Sequence, residues 1–269
     1  MRQELIEQLE GYNEIAKEIE FSRKYGSDFT LEKGTVRHYI NRLHPARINL
    51  KVNDIIEESS AAKTFRLVAE DNYLPPFLAG QYISLILEVD NIKTSRPYSI
   101  SSSPSETGWF DITVQRVAGG LVSNHLLDTV KIGDKLESSG PNGQFYLNPV
   151  VHSNVCVCVA GGCGITPFMS MIRETAGQGL KREIILFYGS KTTKDMIFFS
   201  ELTKISAKHK NVKFIPVIEN PTEEYNGKTG FITADLINEV LDTPEGKNYF
   251  ICGPQAMYDF CFPEIKKLG

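Results

Sequence analysis

The sequence predicts an antiparallel β-barrel domain followed by an α/β domain with a parallel sheet, both preceded by a helical N-terminal extension. Apolar residues fall near helical spacing in residues 1–46, whereas residues 47–150 contain short strand-like runs separated by turn residues. In residues 151–269, strand-like runs alternate with helical stretches. The chain of 269 residues is long enough to form two hydrophobic cores.

The N-terminal extension, residues 1–46, is predicted to be helical and to have a packing or docking role, because it carries no chemical motif. Its start, MRQELIEQLEGYNEIAKEIE, is too charged for a signal peptide, and no apolar run approaches the roughly 20 residues of a membrane span. We therefore expect a cytoplasmic protein. The apolar residues near helical spacing are Leu5, Ile6, Leu9, Tyr12, Ala16 and Ile19.

The second segment, residues 47–150, is predicted to form the β-barrel. Its strand-like runs are INLKVNDI, KTFRLVAE, GQYISLILEV, RPYSIS and FDITVQRV, and the turn signals DNYLPP, SPSETG and GPNG separate them. Several short strands at this spacing are typical of an antiparallel barrel or sandwich.

The third segment, residues 151–269, contains four strand-like runs that each lead into a helix. VCVCVA continues through GGCGITP into PFMSMIRETA, and REIILFYG precedes a helix near residues 198–207. VKFIPVI precedes a helix at residues 233–242, and NYFICG precedes the last helix. Four consecutive βα units predict a parallel, doubly wound sheet that binds ligands at the carboxyl ends of its strands.

Composition excludes several classes of protein. The net charge is −4 and the basic residues are scattered, so the sequence does not favour a nucleic-acid partner. Five cysteines, an odd number, argue against a disulfide framework. Their spacing contains neither a C-x₂-C pair nor a C-x₄-C-x₂-C run, so we predict no metal site. Cys156 and Cys158 alternate in an apolar run and are predicted to be buried.

Three glycine-containing motifs lie at predicted ends of strands or starts of helices. AGGCGITP (residues 160–167) could bind a phosphate at the start of its helix or be a plain tight turn. GGLVSNHL (residues 119–126) repeats this pattern in the barrel half, with Ser123 or Asn124 as the predicted helix cap. ICGPQAM (residues 251–257) places Cys252 at the carboxyl end of a strand, where it could face a ligand or be a buried structural thiol.

RPYSIS (residues 96–101) combines an arginine, a proline, a tyrosine and a serine in a strand-like run. Proline is disfavoured in a central strand, so an edge strand that leaves a turn is the simplest interpretation. The alternative is a ligand that needs a cation, an aromatic face and hydroxyl groups on one strand.

Taken together, these motifs resemble the ferredoxin–NADP⁺ reductase superfamily. R-P-Y-S, G-G-x-x-S, G-P-x-G-x-F, G-G-x-G-I-T-P, F-Y-G-S-K and C-G-P-x-x-M occur in the order typical of that superfamily. The chain is most similar to the reductase components of bacterial oxygenases and to related iron–sulfur flavoreductases. The resemblance covers roughly residues 48–267 and does not include the helical extension.

The resemblance implies a flavin in the barrel domain, FAD rather than FMN. Arg96 would bind a flavin phosphate, Tyr98 would pack on the isoalloxazine ring, and Ser99 would lie beside flavin N5. The other flavin-binding residues that it implies are Pro97, Gln115, Arg116, Val117, Gly119, Gly120 and Ser123.

The resemblance also implies NADH or NADPH in the α/β domain. Gly162, Gly164 and Thr166 would cradle the pyrophosphate beside Pro167, and Ser190 and Lys191 would lie by the adenosine ribose. The nicotinamide pocket would be shaped by Cys252, Gly253 and Pro254. Ser99 and Cys252 are the predicted catalytic residues. Lys191 could meet a 2′-phosphate or a ribose hydroxyl, so the choice between NADH and NADPH stays open.

The implied activity is that of an NAD(P)H-dependent flavoprotein reductase that passes electrons through FAD to a ferredoxin-type [2Fe–2S] acceptor. The number of cysteines argues against such a domain on this chain, which ends at KKLG where the superfamily usually continues into another strand. We therefore expect the acceptor on a missing C-terminal domain or on a separate partner. The alternatives are a non-catalytic, flavin-holding subunit of a larger redox complex and an unrelated binding module without flavin.

Overall fold

The computed structural model describes residues 12–25 and 35–269, and the contacts of the chain divide it into the units Met1–Pro45 and Ala46–Gly269. The first unit contains the helices α1 (Tyr12–Tyr25) and α2 (Thr35–Leu43). The predicted helix is thus confirmed around Tyr12, Ala16 and Ile19. The same prediction for Leu5, Ile6 and Leu9 lies outside the described residues.

The second unit begins with a six-stranded antiparallel sheet that curls on itself. Its strands are β1 (Ile48–Ser59), β2 (Ala62–Ala69), β3 (Tyr82–Val89), β4 (Ile92–Ser99), β5 (Phe110–Gln115) and β6 (Lys135–Ser138). They lie in the order β4-β3-β6-β1-β2-β5, and the two edges of the sheet meet at a bridge between Ile100 and Ile112. The predicted antiparallel barrel is therefore confirmed as a curled sheet. Strand β6 was not predicted, because its sequence KLES is short and half charged.

Alternation of side chains along these strands builds the core of the curled sheet. On β3, Ile83, Leu85 and Leu87 are buried, while the residues between them are more exposed. The helix α3 (Leu121–Asp128) adds Val122 and Leu126 to the same core. The curled sheet thus has one buried face that a single helix helps to cover.

The hairpin between β3 and β4 sets which residues of β4 share the core face. Asp90 and Asn91 form its two-residue turn with φ values of 51° and 63°, between the paired Val89 and Ile92. Positive φ at both central residues is the geometry whose twist matches that of the flanking strands. The register that follows pairs β4 residues with β3 residues one by one along the hairpin.

The second half of this unit is a five-stranded parallel sheet in the order β10-β9-β8-β7-β11. Its strands are β7 (Val155–Gly161), β8 (Glu183–Ser190), β9 (Val212–Ile218), β10 (Lys228–Thr229) and β11 (Asn248–Cys252). Its helices are α4 (Ile165–Gly177), α5 (Phe199–Lys208), α6 (Ala234–Val240) and α7 (Gln255–Lys266). The predicted α/β domain is confirmed. Within the described residues, no helix is both long enough and apolar enough to cross a bilayer.

We predict that Asn91→Ala lowers the free energy of unfolding by about 1 kcal/mol, because alanine tolerates the left-handed conformation less well than asparagine. Urea denaturation would measure this difference. Asn91→Gly is the matched control and should be neutral or slightly stabilising, since glycine adopts positive φ without steric cost. An alanine variant as stable as the wild type would show that this turn does not constrain the hairpin.

Candidate functional site

The parallel sheet changes its winding direction between β7 and β11. From β7 the chain adds β8 and β9 on one side, whereas β11 returns to the other side of β7. The helix after β7, α4, packs into the core on one face of the sheet, and the helix after β11, α7, packs on the opposite face. A crevice at the carboxyl ends of two such strands is the usual ligand site of an open α/β sheet.

The loops that follow β7 and β11 are in direct backbone contact in this region. A Cβ atom on Gly164 would lie 2.0 Å from the carbonyl oxygen of Cys252. Cβ atoms on Gly161 and Gly253 would lie 2.4 Å and 2.6 Å from Sδ of Met257. The Cys252 backbone therefore leaves no room for a side chain at Gly164, whereas a side chain at Gly161 or Gly253 would have to displace the Met257 side chain of α7.

A buried tyrosine stabilises the conformation of the loop after β7 through hydrogen bonds. Gly162 adopts a positive φ of 54°, and the Tyr188 hydroxyl donates a hydrogen bond of 2.9 Å to its carbonyl oxygen. The same hydroxyl accepts a bond of 3.2 Å from the N–H of Ile197, and burial raises the pKa of Tyr188. Helix α4 begins directly after this loop, so the positive end of its dipole lies at the crevice.

The same loop is fastened to the curled sheet by its cysteine. The backbone N–H of Cys163 donates to Oε1 of Gln115 at 2.9 Å, and its Sγ donates to the carbonyl oxygen of Thr113 at 3.3 Å. Gln115 belongs to the predicted flavin-binding set, and Cys163 lies between Gly162 and Gly164 of the predicted nucleotide-binding set. The structure therefore brings the two sets of motifs together at the end of β5.

Strand β4 carries Arg96, Pro97, Tyr98 and Ser99. Arg96 pairs with Leu85 and Tyr98 pairs with Ile83, so both side chains lie on the face that forms the core in β3. Tyr98 is half-buried against that core, whereas Arg96 is exposed and its Nη1 donates to Thr94 Oγ1 at 2.8 Å. Along β4, this face of the sheet is therefore half-buried at Tyr98 and exposed at Arg96, where it carries a positive charge.

Tyr98 also lies within electrostatic reach of the loop after β7. Burial raises the pKa of Tyr98 to about 12, Cys163 contributes to the increase, and Arg96 opposes it. Its phenol is therefore neutral at physiological pH. A neutral aromatic side chain can provide a flat apolar surface for a ring system.

The segment after β5 differs in one detail from the sequence prediction. Helix α3 begins at Leu121 with Gly120 in an extended conformation as its N-cap, so the prediction of Ser123 or Asn124 as the cap is wrong. Ser123 lies inside the first turn, where its hydroxyl instead accepts the N–H of Val117 at 3.2 Å. This bond folds the loop back onto the helix.

The remaining residues of the predicted flavin set lie on or beside this loop. Arg116 is committed to α3 through a two-pronged ion pair with Asp128, at 2.8 Å and 2.6 Å, and a bond of 3.0 Å to Asn124. Val117 is 59% exposed. Gly119 has a positive φ of 69°. The guanidinium of Arg116 is therefore engaged by a carboxylate of α3.

The other predicted nucleotide-binding residues surround the carboxyl ends of β7, β8 and β11. Thr166 and Pro167 are buried in the first turn of α4, with Thr166 Oγ1 donating to the Cys163 carbonyl oxygen at 2.5 Å. Ser190 ends β8 and donates to the Thr192 carbonyl oxygen at 3.0 Å, and Lys191 follows it on the surface. Pro254 is the N-cap of α7.

Cys252 ends β11 and is half-buried beside the loop after β7. Burial raises the pKa of Cys252 to about 11, although a hydrogen bond with Tyr258 lowers it and Cys163 raises it again. The thiol is therefore protonated at physiological pH. It can shape a pocket and contact a neutral ring, but it is not a thiolate nucleophile.

Sequence reasoning missed the residues that join the two halves behind the crevice. The hydroxyl of Ser170 on α4 donates to the carbonyl oxygen of Ser102 at 2.7 Å, and both residues are fully buried. The serine run SISSS, which starts at the last residue of β4, was the available signal, because buried serines need hydrogen-bond partners.

Two comparisons with families support the division of the second unit. Residues 47–146 match the family described as the oxidoreductase FAD-binding domain, and residues 158–262 match the oxidoreductase NAD-binding domain. These ranges contain the curled sheet and most of the parallel sheet, respectively.

Individual relatives agree with these matches. The chain is 32% identical to NADH-cytochrome b5 reductase 1 of Dictyostelium discoideum, over 83% of this chain and 78% of that protein. It is 32% identical to the glycine betaine monooxygenase reductase subunit of Pseudomonas aeruginosa, over 74% of this chain and 55% of that protein. The solved structure of phthalate dioxygenase reductase superposes with a TM-score of 0.65 at 28% identity, over 82% of this chain and 64% of that one.

The chain thus spans most of the cytochrome b5 reductase but little more than half of the monooxygenase reductase subunit. The order of the two domains, the paired glycine loops and the family matches all point to one group of proteins. The chain belongs to the ferredoxin–NADP⁺ reductase superfamily, and it is an oxidoreductase module with an FAD-binding and an NAD-binding domain.

Proposed function

We propose that this chain is an NAD(P)H-dependent flavoprotein reductase that passes electrons from NAD(P)H through FAD to an iron–sulfur acceptor. In this proposal residues 47–150 hold the FAD, residues 151–269 hold the nicotinamide nucleotide, and residues 1–46 dock a partner. The observation that carries the proposal is the bond of 2.9 Å between Cys163 N–H and Gln115 Oε1. This contact between the predicted nucleotide loop and a residue of the predicted flavin set supports the proposal, because direct transfer between two bound rings requires their close approach.

The residues of β4 suit a flavin nucleotide. The exposed guanidinium of Arg96 can form charge-assisted hydrogen bonds with a phosphate. Tyr98 offers its neutral ring to the isoalloxazine, and Ser99 can donate to N5 from the same strand. The flavin contacts are completed by Pro97, Gln115, Arg116, Val117, Gly119, Gly120 and Ser123. The pairing of Arg116 with Asp128 makes it the weakest member of this set.

The loops after β7 and β11 suit a dinucleotide. Gly162, Gly164 and Thr166, followed by Pro167, lie where the amide groups of the α4 N-terminus can meet a pyrophosphate. Ser190 and Lys191 would contact the adenosine ribose, and Cys252, Gly253 and Pro254 would line the nicotinamide pocket. The chemistry that the two cofactors supply when bound is hydride transfer from nicotinamide C4 to flavin N5, which oxidises the nucleotide and reduces the flavin.

The choice of an iron–sulfur acceptor draws on the relatives. The solved relative is described as transferring electrons from pyridine nucleotides to [2Fe–2S], and a curated relative is a monooxygenase reductase subunit. Both are longer than this chain, so the cluster would lie on a further domain or on a partner. A haem protein of the cytochrome b5 type is the second candidate, since this chain covers 78% of NADH-cytochrome b5 reductase 1.

We predict that the purified protein binds FAD and that NADH or NADPH bleaches its flavin absorbance under anaerobic conditions. Spectra recorded before and after each nucleotide would also show which one the enzyme prefers. Chromatography of the heat-released cofactor would identify the flavin, and FMN alone would contradict the assignment of FAD. A flavin that neither nucleotide reduces would instead indicate a non-catalytic, flavin-holding subunit.

We predict that Arg96→Ala weakens flavin binding about ten- to a hundredfold, which corresponds to the roughly 1.5–3 kcal/mol of a charge-assisted hydrogen bond. Titration of the apoprotein with FAD would measure the dissociation constant. Lys93→Ala is the matched control, because Lys93 is an exposed cation on the opposite face of the same strand. Unchanged affinity in the Arg96 variant would reduce this residue to a structural role on the edge strand.

We predict that Cys252→Ala slows flavin reduction by NAD(P)H about ten- to a hundredfold, or roughly 1.4–2.8 kcal/mol of barrier, and leaves flavin bound. The physical reason is alignment, since hydride transfer tolerates little displacement of the two rings. Stopped-flow bleaching would measure the rate. Cys261→Ala is a suitable control, because Cys261 is a buried cysteine of α7 in the core between this helix and the parallel sheet. Normal kinetics with a lower melting temperature would assign Cys252 to the core.

A further inference from the structure

Arg173 connects the two halves of the second unit through one guanidinium group. It lies in the last part of α4, and its side chain is 17% exposed. Nε and Nη2 donate to the two carboxylate oxygens of Glu201 at 2.8 Å and 2.7 Å, both within the α/β half. Nη1 donates to the carbonyl oxygen of Ser101 in the curled sheet at 2.8 Å. One side chain thus fixes α4 to α5 and to the other half at once.

Ser101 lies at a defined position relative to the proposed flavin strand. It follows Ser99 by two residues, and it comes directly after Ile100, which bridges to Ile112 where the edges of the sheet meet. Its own N–H donates to the Asp111 carbonyl oxygen at 2.7 Å. A side chain that binds the Ser101 carbonyl oxygen therefore also fixes the position of the end of β4.

The other end of the connection leads to the proposed nucleotide loop. Helix α4 begins at Ile165, immediately after the GGCG loop, and Ser170 on the same helix donates to the Ser102 carbonyl oxygen at 2.7 Å. The contacts of Ser170 and Arg173 with consecutive carbonyl groups set the position of α4 along the segment after β4. Because a helix is stiff, they also set the position of the loop at its start.

Charged and apolar groups from both halves surround the guanidinium. Its Cζ lies 5.0 Å from the ring centre of Phe198, a buried residue with a positive φ of 61° at the start of α5. On the curled sheet, Glu58 of β1 accepts a hydrogen bond of 2.7 Å from Thr64. Burial raises the pKa of Glu58, while Arg173 favours its charged form. Because the guanidinium of Arg173 is partly shielded from water, its hydrogen bonds to Glu201 and to the Ser101 carbonyl are stronger and keep a defined geometry.

We propose that Arg173 is a positioning residue for hydride transfer: by joining the Ser101 carbonyl to Glu201 and α4, it sets the approach of the nicotinamide to the flavin. This inference rests on the proposed function. Arg173 touches neither proposed ring site and acts through the segment after β4 and through α4. A planar guanidinium can bind a carboxylate with two groups and reach a carbonyl with the third, which a lysine ammonium cannot do with the same geometry.

The test compares Arg173→Met with Arg182→Met. Arg182 is a matched control, because it is also an arginine paired with a glutamate, Glu174, and its side chain is 16% exposed, but both partners lie in the α/β half. We expect Arg173→Met to slow flavin reduction by NAD(P)H about ten- to a hundredfold, with unchanged flavin content and little change in the Kd for the nucleotide. Arg182→Met should keep the wild-type rate.

Two further readouts separate positioning from loss of stability. Flavin reduced chemically should pass electrons to ferricyanide at the wild-type rate in Arg173→Met, since only the entry of hydride is affected. Ser170→Ala, which removes a single hydroxyl, should also slow flavin reduction, but by a smaller factor. This variant tests the inference if Arg173→Met does not fold. A wild-type reduction rate in Arg173→Met, or an equal loss in Arg182→Met, would overturn the inference. If Arg173→Met does not fold, a wild-type rate in Ser170→Ala would overturn it.

Amide hydrogen exchange tests the connection through Arg173 without relying on the proposed activity. In Arg173→Met, exchange should accelerate at residues 99–103 and 161–166, and in Arg182→Met it should not. If NAD(P)H does not reduce the wild-type flavin, the proposed function fails, and unchanged exchange in Arg173→Met would overturn the connection itself. If the wild type is reduced but Arg173→Met keeps its rate, only the positioning role fails.

Discussion

The junction between the end of β5 and the GGCG loop is the constraint on which the rest of the site depends. Cys163 binds the curled sheet twice, through its N–H to Gln115 and through its thiol to the Thr113 carbonyl oxygen. Since the loop also contacts the backbone of Cys252, the three segments share one fixed geometry. The end of β5, the GGCG loop and the end of β11 are therefore held together by direct contacts.

Burial keeps the polar groups of this junction neutral. It raises the pKa of Tyr98, of Cys252 and of Cys163, so each of them is protonated at physiological pH. Cations lie at the periphery, with Arg96 on the exposed part of β4 and Lys191 beyond β8. This distribution suits two cofactors whose charged phosphates lie outside and whose reacting rings are neutral or nearly so, since a buried unpaired charge would be costly beside them.

Superfamily membership and the nature of the acceptor rest on different parts of the molecule. Membership rests on the two domains, which the chain shares with cytochrome b5 reductases and oxygenase reductases alike. The relatives differ in how much of their length this chain spans, which is 78% for the cytochrome b5 reductase, 55% for the monooxygenase reductase subunit and 64% for phthalate dioxygenase reductase. Relatives with these two domains thus carry names that point to different acceptors, cytochrome b5 and [2Fe–2S].

The sequence by itself determined the two sheets and the glycine loops, because these follow from local periodicity and from backbone conformations that glycine favours, whereas the candidate site residues were assigned from the resemblance to the superfamily. It did not indicate β6, whose short charged segment is a strand only because β1 and β3 pair with it. It misplaced the cap of α3, and it did not reveal that Arg116 pairs with Asp128 or that Arg173 reaches Ser101. Only the tertiary structure decided these contacts, since hydrogen-bond partners distant in sequence depend on how the strands and helices pack, and local pattern carries no information about that.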